Sequence, residues 1–138
     1  MANAKMGASH GWSGNYVESA KASFSLVPGD SGKTIILGDP DDSNAAVTAT
    51  LPALSDINAG FKLTLISANA GEHILNGGNS KIYGIAVNET TETAASQITR
   101  FSAASSVTLS GGMIGDKFDV ISDGTNWYVY LLADAAAS

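Results

Sequence analysis

Short runs of alternating apolar and polar residues, each broken by turn residues, constrain this chain more than any other feature of its sequence. The clearest run is FKLTLIS, where Phe61, Leu63 and Leu65 are separated by polar residues. Successive side chains of a strand point to opposite faces, so this run predicts a strand with one face in the core. Similar runs recur about every ten residues, and none has the period of a helix of three turns.

The pattern predicts an all-β domain, a compact antiparallel sandwich or barrel that is jelly-roll-like or β-tulip-like. We expect roughly eight to ten strands. Residues 21–132 would form the domain and residues 133–138 a flexible C-terminal tail. Residues 1–20 are small and polar around Trp12 and Tyr16, which predicts an extended N-terminal arm. No repeat of fixed period is present, which argues against a solenoid or a propeller.

Composition and charge exclude several classes of function. The net charge is −6 and Arg100 is the only arginine, so a nucleic-acid partner is not expected. The chain has no cysteine, which excludes disulfides and thiolate chemistry. No window approaches a membrane span or a signal peptide, so no membrane partner is expected. Charged residues make up only 14% of the chain. A surface with so few charges costs little free energy to desolvate when it packs against another protein.

The stretch PGDSGKT carries two partial catalytic patterns. Its Gly-Lys-Thr ending belongs to phosphate loops, but the required glycine five residues before Gly32 is replaced by Val27, and a strand follows instead of a helix. Ser31 lies in a context similar to that of a protease nucleophile, which needs a histidine beside it. The two histidines, His10 and His73, lie in the arm and beside a Gly-rich turn. We therefore interpret the stretch as a plain hairpin turn.

Three carboxylates in the loop GDPDDSN, those of Asp39, Asp41 and Asp42, are ligands of the kind that calcium prefers. The helix-loop-helix calcium pattern is not met, because Asn44 and Thr50 stand where glycine and glutamate are needed. A solvated turn, with aspartates accepting backbone hydrogen bonds, explains the loop more simply. A calcium site shared with a second loop remains an alternative. We expect no catalytic residue, no metal and no cofactor, and therefore no enzyme.

The last hairpin holds the densest aromatic cluster of the chain. The turn signal Asp123-Gly124 leads into WYVYLL, a run that is apolar or amphipathic on both faces. One face can join the core of the domain, and the other needs a second sheet or a neighbouring subunit as cover. Trp127, Tyr128 and Tyr130 are therefore candidate interface residues.

The ending GDKFDVISDGTNWYVY resembles a recurrent C-terminal signature of small β-rich structural proteins of tailed bacteriophages. The upstream segment TATLPALSDINAGFKLTLISANAGEHIL is similar to the same family, and the two segments cover about half of the chain. Capsid decoration (cement) proteins and head or tail fibre domains share this signature, and a single compact domain favours decoration. The resemblance implies a homotrimer made in the cytoplasm of a bacterial host. It would bind the major capsid protein on the outer surface of the virion and stabilise the expanded shell.

Two sets of interface residues follow from the two possible virion roles. In a decoration protein the arm would clasp capsid subunits, with Trp12 and Tyr16 as anchors. In a fibre or spike domain, Trp127 and Tyr128 or Tyr130 would form a stacking platform for host-surface glycan.

Overall fold

The computed structural model describes residues 17–88, 97–109 and 113–133. These residues form eleven strands and two short 3-10 turns, Pro28–Asp30 and Leu54–Asp56. The strands are β1 Val17–Ala20, β2 Phe24–Ser25, β3 Thr34–Leu37, β4 Thr48–Thr50, β5 Lys62–Ser67, β6 Ile74–Asn76, β7 Ile82–Asn88, β8 Ile98–Ala104, β9 Ser106–Thr108, β10 Lys117–Ser122 and β11 Trp127–Ala133. Within these ranges no helix has the length and apolar character needed to cross a membrane.

Two sheets pack around one core. The larger sheet has the order β1-β3-β5-β10-β11-β7-β8, and the smaller has the order β2-β4-β6-β9. Alternate residues of each strand point inward, so Leu65 and Phe118 of the larger sheet are buried together with Leu75 and Val107 of the smaller one. The prediction of an all-β sandwich is confirmed.

The prediction of antiparallel pairing is wrong for much of the structure. Nine strand pairings join the described residues, and five of them are parallel: β1–β3, β3–β5, β7–β11, β2–β4 and β4–β6. Jelly rolls are antiparallel. The larger sheet is mixed, so the jelly-roll-like alternative does not describe it.

Four of the five parallel pairs, all except β7–β11, arise because the first six strands alternate between the two sheets. A strand that returns to its own sheet after one pass through the other can run in the same direction as its predecessor. The number of residues between successive strands of the larger sheet varies, since the register places Val17 beside Thr34 and Thr34 beside Thr64. The winding therefore leaves no repeat of fixed period in the sequence.

The closing hairpin lies in the middle of the larger sheet. β10 pairs with β5 on one side, and β11 pairs in parallel with β7 on the other. The β7–β11 contact is close at Gly84, which lies opposite Val129 and has a φ of +150°. On its other edge β7 pairs with β8, and the register of that pair shifts between Ile82 and Gly84.

The ends of the domain differ from the predicted boundaries. Val17–Ala20, assigned to the arm, form β1 and pair with β3. Ala133, assigned to the C-terminal tail, is the last residue of β11 and is buried. Residues 1–16, with Trp12 and Tyr16, and residues 134–138 lie outside the described part of the chain.

Candidate functional site

The side of the larger sheet that points away from the core is broad and apolar. We call it the outer face. Strand alternation sends Leu131 into the core and its neighbours Tyr130 and Leu132 to the outer face. The apolar and aromatic residues of the outer face are Val17, Ile36, Ile66, Tyr83, Ile85, Val87, Ile98, Ile121, Tyr128, Tyr130 and Leu132.

The centre of the outer face is open to solvent. Leu132 is 53% exposed, Tyr130 51% and Ile121 47%, and they lie on the paired strands β10 and β11. The smaller sheet covers the opposite side of the larger one, so no described strand shields these residues. Contiguous exposed apolar surface of this kind marks interaction sites in proteins.

Trp127, predicted as an interface residue and as part of a glycan platform, is instead a core residue. Its side chain is fully buried and packs edge-on against Phe61, with ring centroids 5.4 Å apart. The physical reason is the parity of β11, because Trp127, Val129 and Leu131 share the face that points toward the smaller sheet. The indole cannot stack on a sugar or on another subunit, so both assignments of Trp127 are wrong.

Tyr128 and Tyr130 do lie on the outer face, but in different surroundings. The Tyr128 hydroxyl donates a hydrogen bond of 2.8 Å to Asp123 Oδ2, which fixes the ring beside the closing turn. Asp123 also accepts from the backbone N–H groups of Thr125 and Asn126, and these bonds lower the pKa of its carboxyl. Tyr130 has no such hydrogen bond to another described residue, and it projects from the sheet between Asp119 and Ile85.

A shallow depression of about 310 Å³ lies beside Tyr130 on the outer face. Its floor is low because Thr34 and Thr64, two small residues, lie in line with Tyr130 across the sheet. Thr64 donates a hydrogen bond of 3.1 Å to Asp119, and Lys117 Nζ lies 3.3 Å from the same carboxylate. Apolar walls with a few polar groups can hold a projecting side chain of a partner.

The stretch PGDSGKT, which carries the two partial catalytic patterns, has a structural role. The stretch PGDSGKT is not a hairpin, since it leads from β2 in the smaller sheet to β3 in the larger one. Ser31 Oγ accepts a hydrogen bond from the Lys62 backbone N–H, and Lys33 pairs with Asp30 and Glu18.

In the loop GDPDDSN, aspartate side chains accept hydrogen bonds from backbone N–H groups of the same loop, as is usual in a turn. Asp39 accepts from the N–H of Asp41, and Asp42 from that of Asn44. Asp39 also pairs with Lys21 at 3.0 Å. Among the described residues no group of three metal-binding side chains comes together.

His73 is a buried structural residue. Its Nδ1 accepts a hydrogen bond from the Val47 backbone N–H, which assigns the ring proton to Nε2, 3.1 Å from Ser67 Oγ. The Ser67 hydroxyl in turn donates to the carbonyl oxygen of Asn69. Burial lowers the pKa of His73, so the folded protein holds the ring neutral.

We expect stability to fall as the pH drops below about 6.5, the ordinary histidine value. Below that pH the unfolded chain binds a proton at His73 more readily than the folded chain does, so the free energy of unfolding decreases by up to about 1.4 kcal/mol per pH unit. Urea unfolding between pH 7.5 and 5 measures the slope. The variant His73→Gln should flatten it, while His10→Gln should keep it. An unchanged slope in His73→Gln would contradict the assignment.

The prediction from sequence did not identify the part of the outer face that β7 and β8 contribute. Ile85, Val87 and Ile98 join Tyr130 and Leu132 only because β7 pairs in parallel with β11, far away in the chain. One signal was present. The run KIYGIAV is apolar on nearly both faces, which predicts a central strand without naming its neighbours.

The resemblance of the closing hairpin to phage structural proteins is the link from this chain to a known family. No family model matches the chain, and no curated protein matches it. Membership of the decoration family therefore stays a prediction.

Proposed function

We propose that this protein is a structural component of a bacteriophage virion. As a trimer it binds the outer surface of the expanded capsid and stabilises the shell by bridging capsid subunits. The observation that carries the proposal is the outer face, a wide apolar surface that the domain itself leaves open. Protein partners cover surfaces of this kind, and the resemblance of the closing hairpin supports a virion as the setting.

The proposed mechanism requires no chemical step. A protein that binds the expanded lattice more tightly than the unexpanded one stabilises the expanded state by mass action. Three linked copies act together, because once one has bound the others meet the shell at a high effective concentration. The major capsid protein is the partner of this proposal, and the place of action is the outside of the virion.

The number of copies in a virion tests the proposal. Quantitative mass spectrometry of purified virions, against the major capsid protein, should find hundreds of copies. A dozen or fewer would indicate a fibre or a vertex appendage. A complete absence would overturn the virion assignment.

We expect deletion of residues 2–16 to leave a folded trimer that binds expanded capsids at least about tenfold more weakly, because the segment holds the two proposed anchors. The deletion must end at residue 16, since Val17 and Glu18 belong to β1 and Glu18 pairs with Lys33 at 2.8 Å. Cosedimentation with expanded capsids gives the affinity. The full-length variant Trp12→Ala/Tyr16→Ala is the matched control and should show most of the loss. Unchanged affinity of the deletion variant would refute the arm.

A glycan-binding fibre or spike domain is the second candidate, favoured by one observation. Tyr130 is an exposed ring beside a depression that also presents Thr64 and Asp119, a combination of stacking surface and hydrogen-bonding groups that suits a sugar. Titration with host-surface glycans should then show binding that Tyr130→Ala abolishes while the fold persists. Binding that survives this substitution would exclude the Tyr130 platform.

A further inference from the structure

The outer face is cationic within an acidic chain. Its outward-pointing strand positions carry Lys62, Arg100 and Lys117 as basic residues and Asp119 as an acidic one. The chain has a net charge of −6, so these three cations and one anion leave −8 for the rest of the sequence. Lys62 and Arg100 have no ion-pair partner in the described ranges. A partner for this face therefore needs acidic groups around an apolar centre.

One end of the same domain has that chemistry. We call residues 39–45, Glu72, Met113 and Ile114 the acidic end. The carboxylates of Asp41, Asp42 and Glu72 are on exposed residues. Ile114, which is 76% exposed, lies in the turn that precedes β10. That turn is held beside the end of β5, because the Gly115 N–H donates to the carbonyl oxygen of Ser67.

The acidic loop is held in one shape before any partner arrives. Asn69 Nδ2 donates to the carbonyl oxygens of Asp39, Asp42 and Ala45, at 3.3, 2.9 and 2.9 Å. A Cβ atom at Gly71 would overlap the Ala45 carbonyl oxygen, which shows how closely the two segments pack. A preformed loop loses little conformational entropy on docking.

We infer that the outer face of one copy receives the acidic end of a second copy. The inference rests on the trimer of the proposed function and names the surfaces that build it. A closed ring of three needs two different surfaces on each copy, whereas a surface that pairs with itself gives a dimer. Two outer faces against each other would also oppose cations to cations. The acidic end instead brings Asp41 and Glu72 toward Lys62 and Arg100, and Ile114 toward the depression beside Tyr130.

The size of the outer face suits a stable contact between copies. Seven strands about 4.8 Å apart span about 29 Å; β1 and β3, with four residues each, run about 13 Å and the other five run about 20 Å, which gives a flat footprint of about 500 Å². Side chains that project from the sheet add to this area. A standard interface buries about 800 Å² on each partner.

Charge reversal tests the pairing of the two surfaces. One variant, Lys62→Glu/Arg100→Glu, changes the outer face, and a second, Asp41→Lys/Glu72→Lys, changes the acidic end. Each should raise the dissociation constant of the trimer at least about tenfold in sedimentation equilibrium. The variant with all four substitutions should recover most of that affinity. Lys81→Glu, an exposed charge outside the strands of the outer face, is the control and should keep wild-type affinity. Thermal melts should show an unchanged fold for every variant.

The outcomes separate this inference from the function on which it rests. If the wild type forms a trimer and neither double variant raises its dissociation constant, other surfaces join the copies. That result overturns the inference and leaves the proposed function standing. If both double variants weaken the trimer and the variant with all four substitutions does not recover affinity, the pairing of the outer face with the acidic end is overturned. A wild type that stays monomeric at all concentrations would overturn the inference, and its cosedimentation with expanded capsids would then test the function separately.

Discussion

We expect Gly84→Ala to lower the free energy of unfolding by at least about 3 kcal/mol, more than most single substitutions do. A Cβ atom at this position would overlap the carbonyl oxygen of Val129, on the neighbouring strand β11. The φ of +150° at Gly84 is also one that L side chains rarely adopt. The overlap involves backbone in the middle of the sheet, so no side-chain rotation relieves it. Urea unfolding of the purified variant gives the loss directly.

Gly29→Ala is the matched control for this prediction. Gly29 lies in the 3-10 turn that follows β2, and a Cβ atom there would meet no atom within 4 Å. The same chemical change should then leave the free energy of unfolding within about 1 kcal/mol of wild type. Equal losses in Gly29→Ala and Gly84→Ala would show that the close contact with β11 is not what makes Gly84 necessary.

Trp127→Ala should lower the free energy of unfolding by about 3 to 5 kcal/mol, because it removes the largest fully buried side chain of the core and leaves a cavity. The ring also packs edge-on against Phe61, a favourable aromatic geometry that alanine loses. Thermal and urea unfolding of the variant measure the loss, and a drop in the expressed folded fraction accompanies it.

Two further variants separate the core role of Trp127 from a surface role. Trp127→Phe keeps most of the ring contact and removes Nε1–H, a buried donor without a partner among the described residues, so we expect a loss of only about 1 to 2 kcal/mol. Tyr130→Ala, on the same strand but the opposite face, should change stability by less than about 1 kcal/mol. A stability loss in Tyr130→Ala as large as that in Trp127→Ala would contradict this division of β11.

Alternation in the sequence predicts which residues share a face, and this part of the fold was predictable. Phe61, Leu63 and Leu65 lie on one face and are buried, as their spacing indicates. The hairpin of β10 and β11 was predictable as well, because Asp123-Gly124 joins two alternating runs. Which side of β11 would be the core side was not, since both sides are apolar and parity alone does not choose between Trp127 and Tyr128.

Strand direction and long-range neighbours could not be derived from alternation. A period of two is the same in a parallel and in an antiparallel pair, and the parallel pairs here join strands separated by a pass through the other sheet. The outer face needs β7 beside β11, an arrangement that depends on closing a long loop rather than on any local signal. The sequence thus indicated Tyr130 and missed Ile85 and Val87, which lie beside it only in the folded sheet.

The central place of the closing hairpin sets the order in which the chain can finish folding. While the ribosome is still making residues 117–133, β5 and β7 both have an unpaired edge, because the strands that join them do not yet exist. Open edges recruit strands from other chains, so the nascent protein is most prone to aggregate just before this segment emerges. Insertion of the hairpin removes both edges at once. We expect premature termination before residue 117 to leave β5 and β7 each with an open edge, and therefore to give an aggregation-prone product rather than a weaker version of the protein.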